Sequence, residues 1–112
     1  PVPGSFDAVF SLDVLEHIVP ESEELFIENS LSSLDTNGMA IFGMPSLESQ
    51  KYASSQSRDG HVNCKSGDDL MKLMNNYFHN TFIFSMNDEV IHTGFFPMAQ
   101  YLMAVGCSKK CS

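Results

Sequence analysis

Asp13, Glu16 and His17 stand at i, i+3 and i+4 at the end of an apolar run, and His61 follows in a polar stretch. Carboxylates and imidazoles take or give protons near neutral pH, so the set suits general acid–base chemistry. If the chain turns helical after Leu12, the spacing puts Asp13, Glu16 and His17 on one face. His17 and His61 are the candidate bases. Structural roles compete with these: Asp13 could cap a turn, and His17 and His61 could each hold backbone between a strand and a loop. His79 and His92 read as solvated or loop-packing residues.

The elements that must position these groups begin with Phe6 to Leu12, apolar at five of seven positions without strict alternation. That pattern predicts a strand covered on both faces, as in a parallel sheet. Pro20 followed by Glu21, Ser22, Glu23 and Glu24 reads as a helix opening, because proline suits the first turn and acids complement the positive end of the helix dipole. Ile27, Leu31 and Leu34 supply its buried stripe, and Asp35-Thr36-Asn37-Gly38 ends it with turn chemistry. Met39 to Met44 is a second buried strand, stopped by Pro45, which makes a βαβ unit.

Ser46 to Lys65 is a long polar stretch without periodicity, and loops of that length are usually functional or mobile. Ser66 then reads as the N-cap of a second helix in a capping box with Asp69. Leu70, Leu73, Met74 and Tyr77 form its apolar stripe. Thr81 to Met86 and Ala99 to Val105 are two further strands, joined by residues without helical period and expected to pair antiparallel. Phe95 and Phe96, beside Gly94 in that connection, are candidate substrate contacts along with Glu16; the competing role for both rings is to cover the end of the sheet. Met71, Met74, Met98 and Met103 read as core filler, and Ser108 to Ser112 as a frayed tail.

At 112 residues the chain is one domain. It opens on Pro1 with a strand close behind, which reads as an internal piece of something longer. Fourteen acidic against 6 basic residues give a net charge of -8, which argues against attraction to nucleic-acid phosphates. A hydrophobic content of 43% is enough for a core. Cys64, Cys107 and Cys111 are odd in number and lack metal-knuckle spacing, so a reducing, cytoplasmic setting is expected, and no apolar run reaches the length of a membrane span.

In order, the apolar strand running into Asp13-Val14-Leu15-Glu16-His17, the strand from Gly38-Met39-Ala40-Ile41, the Gly60-His61-Val62-Asn63 segment before a capped helix, and the closing strand pair resemble the carboxyl-terminal half of a class I S-adenosylmethionine-dependent methyltransferase. The resemblance covers nearly the whole chain. It implies an α/β, partial Rossmann-like fold over residues 1–112, a mixed sheet of about four strands in the family's order 4-5-7-6, and an antiparallel terminal pair. By the same resemblance Ser11, Leu12 and Asp13 border the methionine end of the cofactor S-adenosyl-L-methionine, and His17 lies one turn away, near the acceptor.

The family's glycine-rich loop and the acidic residue that holds the ribose have no counterpart in this sequence. The resemblance therefore implies a substrate-side half, inactive alone, of an enzyme that methylates a small molecule such as a sugar or another biosynthetic intermediate. A competing reading is a non-catalytic half-domain kept as a binding or oligomerisation module. Asp13, Glu16, His17 and His61 also resemble the carboxylate-carboxylate-histidine-histidine pattern of small-RNA 3′-end ribose methyltransferases, and the first three resemble quinone-biosynthesis O-methyltransferases. Oxygen-rich ligands of that kind would take Mg²⁺ or Mn²⁺; relatives with the same pentapeptide do without a metal, so no metal ligand is assigned. The family's strand order leaves Phe6 to Leu12 as an unpaired edge, which predicts a homodimer through that strand.

Overall fold

The computed structural model describes residues 3–88, 90–93 and 95–110. A parallel pair opens the fold, β1 (Phe6–Leu12) beside β2 (Leu34–Pro45), linked by helix α1 (Pro20–Leu31). Helices α2 (Ser55–Gly60) and α3 (Gly67–Asn75) follow, then strands β3 (Phe78–Asn87), β4 (Val90–His92) and β5 (Tyr101–Lys109). The five strands form one mixed sheet in the order β1-β2-β5-β3-β4. β5 runs antiparallel to both β2 and β3. The four strands expected from the sequence take the order expected of them; the fifth is β4, too short to show a period, which pairs outside β3.

The core lies on one face of this sheet. Ala40, Phe42 and Met44 of β2, Leu102 and Ala104 of β5 and Ile83 of β3 point to that face and are buried beneath Ile27 and Leu31 of α1 and Leu70 and Met74 of α3. Helix α1 has Pro20 in its first turn, where the absent N–H costs nothing, and Glu21 and Glu23 beside the orphan amides. Helix α3 is capped as expected, the Asp69 N–H donating to Ser66 Oγ at 3.2 Å. The neighbouring residues on each strand face the other way. Phe10 is 72% exposed and Phe82 52%, so the sheet is covered on one side only.

Four expectations change here. β1 is not covered on both faces, because no helix among the described residues lies over Phe6, Phe10 and Leu12. The predicted turn at Asp35 to Gly38 is an irregularity inside β2: Phe6 pairs with Leu34 and Ala8 with Met39, so those four residues bulge out of the ladder. Met98 is 75% exposed rather than core, and Met103 lies half-buried on the face opposite the core. The tail is held as far as Lys110, since Lys109 Nζ donates to Leu31 O and Leu34 O and Lys110 Nζ to Asn75 O. Cys111 and Ser112 lie outside the described residues, as do Pro1, Val2, Glu89 and Gly94.

Candidate functional site

The carboxyl ends of β1 and β2 lie side by side, and the chain leaving each one builds the site. After β1, Asp13 takes a left-handed conformation with φ 61°, and its N–H donates to Gly43 O at 3.0 Å. Asp and Asn are the non-glycine residues that tolerate this region best. A 3₁₀ turn then covers Leu15–His17, with Val14 rather than Asp13 at its N-cap. The three predicted groups therefore do not share a helical face: Glu16 turns inward and is 1% exposed, whereas His17 faces outward.

After β2 the polar stretch returns on itself and is closed at its base. The Leu47 N–H donates to Lys65 O at 2.9 Å, Ser46 Oγ donates to Ala99 O at 2.5 Å, and Ser46 Oγ accepts from the Ser49 N–H at 3.1 Å. The stretch is thus a closed excursion whose two ends touch. Inside it stand a 3₁₀ turn at Glu48–Tyr52 and α2, capped by Ser54 Oγ on the Ser57 N–H. Serine-rich sequence without an apolar stripe concealed both. The stretch is tied down further by Asn63 N–H on Glu16 O at 2.9 Å and by Lys65 Nζ on the Glu23 carboxylate at 2.8 Å.

This loop brings His61 to His17. The two rings meet edge to face with centroids 4.9 Å apart. His17 Nδ1 lies 2.6 Å from Gly60 O, and His61 Nδ1 lies 2.8 Å from Gln50 Oε1. Both oxygens accept, so each ring carries its proton on Nδ1 and keeps the Nε2 lone pair free when neutral. His17 Nε2 is 3.8 Å from Glu16 Oε2, while Glu16 Oε1 is buried without a protein partner. Burial pushes the Glu16 carboxyl above the usual range, helped by the Asp13 charge; its own backbone amide, His17 and His61 pull it back. Burial and the Glu16 charge likewise raise the Cys64 thiol.

Ligand atoms of Glu16, His17 and His61 lie within 4.8 Å of one another, and Asp13 is not part of that group. Two imidazoles and one carboxylate form a nitrogen-rich set suited to Zn²⁺ or a similar transition ion, unlike the oxygen-rich environment that holds Mg²⁺. Asp13 instead lies beside Tyr101, whose hydroxyl is pushed up by burial and by the Asp13 carboxylate. Sequence reading missed Tyr101. Its ring lies over Gly43, where a Cβ would come within 2.7 Å of the Tyr101 hydroxyl and of Leu12 Cδ2.

The remaining candidates are dispersed. Ser11 Oγ is buried without a partner, and Leu12 is exposed beside Gly43. Phe96 packs on Gly67 at the start of α3 and against the core, while Phe95 is exposed. His79 is exposed, and His92 is half-buried 3.4 Å from Asn87 Nδ2. No protein-family model and no curated protein matches the chain.

Proposed function

We propose that this chain is the substrate-side half of a class I S-adenosylmethionine-dependent methyltransferase, moving a methyl group to a small-molecule acceptor such as a sugar. The observation that carries the reading is the juxtaposition of His17, His61 and buried Glu16 where the carboxyl ends of parallel β1 and β2 meet, the place where open α/β sheets take ligands. The strand order β1-β2-β5-β3 supports it too, since it is the order the resemblance implies for a Rossmann-like methyltransferase. S-adenosylmethionine, when bound, supplies the methyl on a sulfonium.

The chain's own residues have the remaining tasks. His17 or His61, through its free Nε2, would take the proton of an acceptor hydroxyl or amine at the cluster as the S–CH3 bond breaks, the methyl passes to the acceptor and the sulfonium becomes a neutral thioether. The Gly60 carbonyl and the Gln50 side chain hold the rings in that tautomer. Asp13, with its backbone fixed on Gly43, would border the cofactor's methionine end together with Ser11 and Leu12, as the resemblance implies. A net charge of -8 disfavours a nucleic-acid acceptor.

The test is calorimetry with S-adenosylhomocysteine on a chain extended by the upstream coding sequence, set beside residues 1–112 alone. Saturable binding by the longer chain and little by the shorter one is the expected result. No binding by either removes the enzyme reading and favours the competing one, a non-catalytic binding or oligomerisation module.

A further inference from the structure

One face of the sheet is apolar along most of its length and has no helix over it among the described residues; Asp13, beside Tyr101, stands at one end. Pairing registers align Ala8, Phe10 and Leu12 of β1 with Met39, Ile41 and Gly43 of β2, then Val105 and Met103 of β5, then Phe82 and Phe84 of β3. Each alternate neighbour on β2, β5 and β3 is buried on the helix side. Taking ~200 Å² for a fully open phenylalanine, the exposed fractions of Phe10, Leu12, Met39 and Phe82 leave about 400 Å² open. Half-buried Ile41, Phe84, Met103 and Val105 bring the face to about 600 Å², so two copies would bury about 1,200 Å² in all, the lower end of the range for specific interfaces.

We infer that a second copy of this chain packs on that face, the two sheets stacked about 10 Å apart across a two-fold axis. A second copy suits it because the acidic residues of α1 lie on the far side of each sheet, so two copies with a net charge of -8 meet through a surface that carries Asp13 only at its end. Pairing through the free edge of β1, the other two-fold arrangement, would extend the sheet and leave both apolar faces in water. Stacking buries Phe10 and Phe82 together, on the first and fourth strands of the sheet.

Sedimentation of residues 1–112 from about 1 to 100 µM tests this. The expected species is a dimer, twice the 12.4 kDa chain mass. Phe82→Lys and Met39→Lys, both at exposed positions of the face, each weaken association by 100-fold or more while the far-ultraviolet spectrum is kept; Leu25→Lys, exposed on α1, leaves it unchanged. A monomer at 100 µM overturns the inference, and so does a polymer that grows with concentration. A dimer indifferent to both Phe82→Lys and Met39→Lys overturns it as well and moves the contact to the β1 edge.

Discussion

His17 Nδ1 lies 2.6 Å from the carbonyl oxygen of Gly60, so one hydrogen bond joins the turn after β1 to the loop after β2. It sets the imidazole tautomer and anchors the segment that carries His61. Both effects can be measured separately.

Replacing His17 with Ala should remove a base and release the loop. In a longer chain with the proposed activity, the methyl-transfer rate is expected to fall about 10²–10⁴-fold, the usual worth of a general base. In residues 1–112 alone, amide exchange should speed up across 54–61 and stay unchanged in β5. A loop as protected as before would show that Ser46, Asn63 and Lys65 hold it without His17.

Glu16 gives a pH signature. Its carboxyl is held above the ordinary 4.5 by burial, so the folded chain binds that proton more tightly than the unfolded one. The stabilisation from this group is present at low pH and is lost as pH rises from the ordinary value through the raised one. Glu16→Gln removes the buried charge and should melt higher than wild type at pH 7.5, by about 5 °C for about 1 kcal/mol. The gap should close towards pH 4. A constant gap across that range would show that the effect is packing rather than ionisation.

Gly43→Ala should damage the site from beneath. The added methyl would stand 2.7 Å from the Tyr101 hydroxyl and from Leu12 Cδ2, and relief requires moving the ring that lies beside Asp13. Overpacking of this kind costs about 1–3 kcal/mol, read from a urea midpoint. Pairing the change with Tyr101→Phe should restore part of the loss if the hydroxyl is what collides.

Ser66→Ala removes the side-chain acceptor for the Asp69 N–H and should cost about 1 kcal/mol. Ser66→Asp should keep most of the stability. Equal losses in the two variants would show that the cap matters less than the local backbone.

The sequence was most legible where one local rule decided the outcome. Pro20 and Ser66 follow from helix-start and capping rules, and α3 and the four longer strands are present where the sequence places them, whereas α1 ends at Leu31 and Leu34 to Gly38 join β2. Legibility failed where tertiary contacts decided. Nothing in Asp13-Val14-Leu15-Glu16-His17 marks a 3₁₀ turn that sends Glu16 inward and His17 outward, because that split is imposed by Leu15 entering the core and by Asn63 bonding Glu16 O. The approach of His61 to His17 was a matter of resemblance, whereas the link between Asp13 and Tyr101 had no signal at all: their proximity depends on β5 lying beside β2.

That position of β5 also governs when the domain can exist. β5 sits between β2 and β3, so before Tyr101–Lys109 are in place the parallel β1/β2 pair and the α3/β3 unit share no strand ladder. On the ribosome, which releases the chain from its amino end, Phe42 on one ladder and Phe78 and Ile83 on the other have no strand to join them until Lys109 has emerged. The fold is then completed in one late step, by a strand inserted between two waiting halves, the kind of long-range closure that makes folding slow and leaves apolar intermediates in need of shelter.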